Sequence, residues 1–375
     1  MHPKYCSPKN SKNNYSCFDN KTLIEVAIKY NKKFKNKINI PKKITKANKE
    51  NFYNSLKNKI NKLTGCEQEY CWLNSKKTDM FKEQKFKNSF RPQKPNEWNN
   101  NKNTWLSTSD IDMVLHQYTE SNPDFYYIGA VPIDFDSQHS LFTNDCVSNE
   151  LCKINIKNLY LSGIRKIGTI FNLDKHTEQG SHWVSMFIDL NNGGIYYFDS
   201  YAKPPSIEVK NLMERVRKMG NELIYSGIID INQMDNEHST EAKFEEIDNN
   251  KALVLKIANL KPDTPTFFKK KSKNASVDVN DIFNIKFNKS INNKYNVIQI
   301  DRENEFKNRG IIVQKGFKLF YNNIQFQYGG SECGVYSIYF QIELLKGKTF
   351  YQVIKNIIND DEINKQRDFY YRPNN

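Results

Sequence analysis

The chain has 375 residues, room for two or three domains and for a hydrophobic core that needs neither disulfide nor metal to stand. Aromatic residues make up 13% and hydrophobic residues 38%, which excludes wholesale disorder, and no run of 18 apolar residues exists to span a membrane, so the sequence reads as soluble. The net charge of +14 is concentrated at one end: residues 1–100 hold 23 Lys+Arg against 8 Asp+Glu, and the remaining residues hold 33 against 34.

That basic quarter carries 22 Lys and 17 Asn, and it reads either as a polyanion-seeking arm that could touch nucleic acid or as a solvated Lys/Asn-rich surface. Two segments in it keep helical period. Leu23, Val26, Ala27 and Tyr30 follow the capping residues Asp19 and Asn20, and Phe52, Leu56, Ile60 and Leu63 share a face before Gly65. Residues 1–74 are therefore read as a helical module. Residues 75–103, with Pro92 and Pro95 and no apolar period, are read as a linker.

From Trp105 onward the pattern changes, and residues 104–375 are read as one domain. Ser107 or Ser109 can cap a helix carrying Ile111, Val114, Leu115 and Tyr118. Strands are expected at Phe125 to Ile133, Lys166 to Leu173 and His182 to Leu190, and the turn residues Asn191 to Gly194 should return the chain as a strand at Ile195 to Phe198. A helix from Ser206 to Met219 follows. The polar stretch at about 231–308 reads as an insertion, strand character resumes at Lys318 to Gln327, and a helix runs from Cys333 to Leu345. Strands mixed with helices in no βαβ rhythm indicate an α+β fold.

The chain begins without the basic-then-apolar layout of a secretory signal, and its seven cysteines form no dense, even framework, so reduced thiols in a cytosol-like compartment are expected. Cys6, Cys17, Cys66 and Cys71 lack the spacing of a zinc pair, and no metal or cofactor is expected. Cys333 differs from the rest. It follows Gly329-Gly330-Ser331 and opens an apolar helix, so backbone N–H groups and the helix dipole would favour its thiolate. The plainer reading is a small buried residue at a helix start. Ser331 as a nucleophile would require glycine where Cys333 stands.

A nucleophile requires a base, and the base an orienting group. His182 lies at a strand edge beside Trp183, and Asp199 ends the returning strand 17 residues later, which puts both at one end of the sheet. The register leaves the position opposite His182 beyond Asp199, so their contact needs a diagonal approach or a bulge. Gln327, six residues before Cys333, could present its amide beside the sulfur and form an oxyanion hole with the Cys333 backbone N–H.

The series His182-Trp183, Asp199, Gln327 and Cys333-Gly334 resembles the SUMO-deconjugating cysteine proteases and their viral relatives, the adenovirus proteinase and the virion-maturation proteases of poxviruses and African swine fever virus. Trp105-Leu106 is similar to that family's Trp-Leu opening. The resemblance implies a papain-like, adenain-like core with Cys333 as nucleophile, His182 as base, Asp199 as orienter and Gln327 as oxyanion donor. It also implies that Trp105 and Trp183, with Gly329 and Gly330, line a narrow channel for a Gly-Gly backbone. Glu332 departs from the family's usual Asp before the cysteine, and the stretch between acid and glutamine is far longer than in cellular members. The implied function is a thiol endopeptidase that cuts viral structural polyproteins after small residues, acting on protein substrates in the virion and host cytoplasm and not at a membrane. The competing readings are a deconjugase of ubiquitin-like modifiers and a basic, DNA-associated virion protein whose protease domain is inactive.

Overall fold

A computed structural model describes residues 5–374, apart from 12–14, 102, 140–144, 231–232, 235–239 and, between 243 and 311, everything but a few short strands. In the basic quarter α1 (Asn20–Lys33) is capped by Asp19, whose side chain accepts from Thr22 N at 2.7 Å, and it buries Leu23, Val26, Ala27 and Tyr30. α2 (Lys49–Thr64) buries Phe52, Tyr53, Leu56 and Ile60 and stops at Gly65, which takes the left-handed φ of 77° that favours glycine. Both stripes are covered by the segment that follows them. Trp72, Phe81, Phe86 and Phe90 join Phe18 in one core with the two helices, while the lysines stay outside.

The stretch 75–103 consequently differs from the linker expected of it. It winds through short helical turns and buries Phe81, Phe86, Phe90 and Trp98. Irregular turns space aromatic residues without a period, so periodicity gives no signal there. The expectation of reduced thiols also needs correction: Cys6 pairs with Cys17, Cys66 with Cys71 and Cys146 with Cys152, each closing a local loop, and Cys333 is left as the free thiol.

The rest of the chain is built on a five-stranded mixed sheet of β1 (Phe125–Pro132), β2 (Lys166–Asn172), β3 (Trp183–Asp189), β4 (Gly194–Phe198) and β5 (Lys318–Tyr321), in that spatial order. β1 and β2 run parallel, as do β4 and β5, and the inner pairs are antiparallel. Every residue of β4 and six of seven in β3 are buried, as expected for strands covered on both faces. On one face α3 (Thr108–Ser121) and α5 (Cys333–Leu345) pack over Ile170, Phe187, Tyr196 and Phe198. On the other, α4 (Ile207–Tyr225) packs over Ile167, Val184, Met186 and Ile188. α5 is buried at twelve of its 13 residues, which explains its uninterrupted apolar run. This is the α+β arrangement anticipated, with the cysteine at a helix N-terminus.

Within the expected insertion, short strands form small antiparallel sheets of their own, for example Tyr295–Ile298 between Ala252–Leu255 and Phe287–Ile291; the remainder lies outside the described residues. After α5 come α6 (Phe350–Lys355) and α7 (Asp360–Tyr370). The last residues then return to the basic quarter. Arg372 N donates to Pro92 O at 2.8 Å, Lys94 N donates to Arg372 O at 2.9 Å, and the Trp98 ring packs edge-on against Tyr371. Among the described residues no helix is long and apolar enough to cross a membrane.

Candidate active site

The β3–β4 hairpin determines where His182 and Asp199 stand. Its ladder pairs Asp189 with Gly194 and Ser185 with Phe198, and continuing that register sets His182 opposite Tyr201. Asp199 reaches His182 diagonally: Oδ1 lies 2.8 Å from His182 Nε2. The residue truly opposite, Tyr201, lays its ring against the imidazole with centroids 4.8 Å apart. A turn follows in which Ala202 N donates to Asp199 O at 2.8 Å and Ala202 takes a φ of 60°, a left-handed backbone uncommon for a residue with a side chain.

Asp199 is fully buried. Its Oδ1 also accepts from Tyr201 N at 2.8 Å, while Oδ2 has no hydrogen-bond partner among the described residues. Asn322, also buried, clamps the backbone on either side, accepting from Asp199 N at 2.9 Å and donating to Asp199 O at 2.7 Å. With Nε2 committed to Asp199, the other ring nitrogen of His182 is left for Cys333, with which the imidazole is also hydrogen-bonded. Burial opposes a charge on His182, but the hydrogen bonds and negative charges of Asp199 and Cys333 outweigh it and push the pKa up to about 9.

Cys333 is the first residue of α5 and is buried. The preceding Glu332 makes no side-chain cap for the helix. Its carboxylate folds back to accept from Ser331 N at 3.0 Å, from the Ser331 hydroxyl and from Asn364 Nδ2 at 3.0 Å. The loop before it is pinned to the His–Asp side of the site, because Phe326 N and Gln327 N both donate to Ser200 O, at 2.8 and 3.0 Å. Gln327 is fully buried, and its orientation is fixed from both ends: Oε1 accepts from Ser200 Oγ at 2.7 Å, and Nε2 donates to Gly329 O at 2.9 Å and to the Tyr201 hydroxyl at 3.1 Å. Both amide hydrogens thus have partners within the chain.

Of the channel residues, Trp183 is buried and donates Nε1–H to Leu106 O at 3.0 Å, whereas Trp105 is 43% exposed. Leu106 and Trp183 close on Gly334, the residue after the cysteine: a Cβ added there would lie 3.1 Å from Leu106 Cβ and 3.3 Å from Trp183 Cδ1, so only glycine fits without a shift. Gly330 faces open space, while a Cβ at Gly329 would meet Glu332 Oε2 at 2.8 Å. Of the eight residues singled out in the sequence, the structure joins His182 to Asp199 and Gln327 to Gly329 by hydrogen bonds, sets Trp183 beside Gly334, and places Gly329 and Gly330 in the loop that leads to Cys333, with Trp105 adjoining Leu106. It adds several that the sequence reading did not name: Ser200, Tyr201 and Asn322 behind His182 and Asp199, and Asp360, Asn364 and Arg367 of α7 behind the cysteine loop. Ser200 and Tyr201 directly follow Asp199 and could have been found by continuing the strand register. The α7 residues come from a helix whose pattern gives no hint of where it docks. Among the described residues no His, Cys, Asp and Glu cluster could hold a metal.

Comparison with known proteins finds proteases. The profile of the Ulp1 protease family, C-terminal catalytic domain, matches residues 163–250, a span that includes His182 and Asp199 and ends before Gln327. A protein of Acanthamoeba polyphaga mimivirus named as a thiol protease is 26% identical over 387 residues, covering 98% of this chain and 93% of that protein. A cysteine protease of African swine fever virus is 27% identical over 123 residues, covering 31% of this chain and 45% of that protein. The crystal structure of the African swine fever virus protease superposes with a TM-score of 0.54 at 16% identity, covering 99% of this chain and 97% of that one, and so shares the fold. The profile, the viral relatives and the mixed-sheet fold point the same way: the chain is similar to the Ulp1-type cysteine proteases and carries a domain that matches their catalytic profile.

Proposed function

We propose that the chain is an endopeptidase in which Cys333 attacks, His182 carries the proton, Asp199 orients and charges His182, and Gln327 joins the Cys333 backbone N–H as oxyanion donor. The observation that carries this reading is the ordered contact series from Asp199 through His182 to the free thiol at the first residue of α5. An imidazole with a pKa of about 9 is charged at neutral pH, which sets a proton donor beside the sulfur at the helix start. The sulfur adds to the substrate carbonyl carbon, and the electron pair moves to oxygen. His182 gives its proton to the departing amine as the C–N bond breaks, leaving a thioester. Water then passes a proton to His182 and adds to the thioester, which releases the acid and restores the pair. Gln327 takes part by exchanging its 3.1 Å contact with the Tyr201 hydroxyl for the substrate oxygen.

We further propose that the substrates are viral structural polyproteins cut after small residues of Gly-Gly-X type, in the virion and host cytoplasm. Support comes from the two viral relatives that carry protease names, one of them alike along nearly the whole chain, and from the tight packing of Leu106 and Trp183 beside Cys333. The test is to map, by mass spectrometry, new protein termini made in a lysate of virus particles by the wild type and by Cys333→Ala. Termini that follow small residues and depend on Cys333 support the proposal. Turnover of a tagged ubiquitin-like conjugate, with no new termini in structural precursors, would replace it with the deconjugase reading.

A further inference from the structure

Two stretches of chain flank Cys333. One is 104–106, whose Leu106 lies against Gly334; the other is 329–332, which leads into α5. The guanidinium of Arg367 lies between them. Nη1 donates to Thr104 O at 2.8 Å, next to Trp105, and Nη2 donates to Ser331 O at 3.2 Å, next to Gly330. The third edge is held as well, since Nε donates to Asn364 Oδ1 at 3.0 Å, and the plane lies 4.7 Å from the Trp98 ring centroid. Arg367 is only 4% exposed.

These contacts rise from one face of α7. Asp360, Asn364 and Arg367 are spaced at i, i+4 and i+7, so they stack along the helix. Asp360 Oδ2 accepts from Tyr328 N at 2.9 Å and from Gly329 N at 2.7 Å, and Asn364 Nδ2 donates to Glu332 Oε1 at 3.0 Å. All three residues hold the cysteine loop. Asn364 Nδ2 also reaches the Asn103 side chain at 3.4 Å, but Arg367 alone of the three bonds backbone carbonyls on both sides, and a guanidinium is a rigid fork whose two terminal nitrogens are fixed relative to each other by resonance.

We propose that Arg367 sets the separation of the two backbone stretches that wall the substrate channel, and is thereby a positioning residue for the exclusion of bulky side chains before the scissile bond. The proposal rests on the protease reading above and deepens it. A lysine at this place keeps the charge but is a flexible point donor, able to satisfy one carbonyl well and unable to hold both at a set distance. The freed wall then admits larger groups.

The experiment compares the full-length wild type with Arg367→Lys and with the milder Asn364→Ala, which removes the partner of Nε together with its bonds to Glu332 and Asn103 and leaves the fork in place. Two readouts are taken. The first is the ratio of kcat/KM for a Gly-Gly-X peptide to that for a Gly-Leu-X peptide. The second is the ratio of alkylation rates of Cys333, the free thiol of the disulfide-bonded chain, by iodoacetamide and by the bulkier N-phenylmaleimide. The peptide ratio should fall about tenfold in Arg367→Lys, within the range a pocket's shape commonly supplies, and less in Asn364→Ala, with N-phenylmaleimide gaining on iodoacetamide in the same order. A merely structural role would lower both rates by one common factor. Unchanged ratios in both variants would overturn the proposal. If Arg367→Lys fails to fold, Asn364→Ala alone decides it. If the wild type cleaves neither peptide, the protease reading fails, and the alkylation ratio still judges Arg367.

Discussion

Replacing Asp199 with Asn removes one negative charge from the site while nearly keeping the shape of the side chain. In the wild type, burial works against a charged His182, and the hydrogen bonds and charges of Asp199 and Cys333 lift its pKa to about 9 from an ordinary 6.5. That difference is worth about 3 kcal/mol in favour of the imidazolium, at about 1.4 kcal/mol per decade of proton affinity. At pH 7.5 a group with a pKa near 9 is about 97% protonated, and one near 6.5 is about 10% protonated. In Asp199→Asn the opposing burial remains and only Cys333 still supports the charge, so the proton affinity should fall by at least about tenfold. The direct assay is the pH dependence of kcat/KM. Its alkaline limb, which marks loss of the proton destined for the leaving amine, should move from near pH 9 towards neutrality. Stability gives a second handle. A folded pKa raised above the unfolded value stabilises the fold fully below pH 6.5 and ceases to do so as the pH rises through about 9. Wild-type melting temperature should therefore drop across that window, and the Asn variant should show a smaller drop. An alkaline limb that stays near pH 9 in Asp199→Asn would refute the assignment of Asp199 as the group that charges His182.

Cys333→Ala should abolish turnover and leave the melting temperature nearly unchanged, because it removes a single buried sulfur; residual turnover at the wild-type rate would rule out the mechanism. His182→Ala should lose nearly as much, read in the same peptide assay. Gln327→Ala should lower kcat by about 10² to 10³ if its amide receives the oxyanion, and a loss confined to KM would remove it from that role. Trp98→Ala should destabilise the chain by about 3–5 kcal/mol in urea unfolding, since the ring is buried between Tyr371 and Arg367. A change under about 1 kcal/mol would mean that residues 75–103 contribute little to the catalytic core.

The parts legible in the sequence are those where local chemistry and period agree. Leu23, Val26, Ala27 and Tyr30 are all buried on α1, and Ser107 caps α3 in a reciprocal box with Asp110. The β3–β4 hairpin was readable because strand period and turn residues coincide, and its register correctly left Asp199 short of the position opposite His182. What was not readable is whatever depends on long-range docking. Phe81, Phe86 and Phe90 show no period because they sit on separate turns, and their burial depends on α1 and α2 being folded already. Arg367 and Asp360 look like ordinary charges on an exposed helix until α7 docks on the cysteine loop. The local disulfides are not legible in cysteine count or framework, because each depends on a nearby turn bringing two cysteines together.

The sheet also bears on how the gene can vary. His182 and Asp199 precede the long stretch that begins near residue 231, Gln327 and Cys333 follow it, and the two halves meet where β5 pairs with β4. Its ends are held close together: a Cβ built at Gly193 would lie 2.8 Å from Met234 Cε and 2.7 Å from Gly316 O, and Phe317 N donates to buried Asn221 at 3.0 Å. When entry and exit are stapled to the same turn, doubling the length of the loop between them costs only about 0.6 kcal/mol. A short Gly/Ser bridge from Met234 to Gly316 should therefore keep the β4–β5 pairing and the contact between His182 and Asp199 intact.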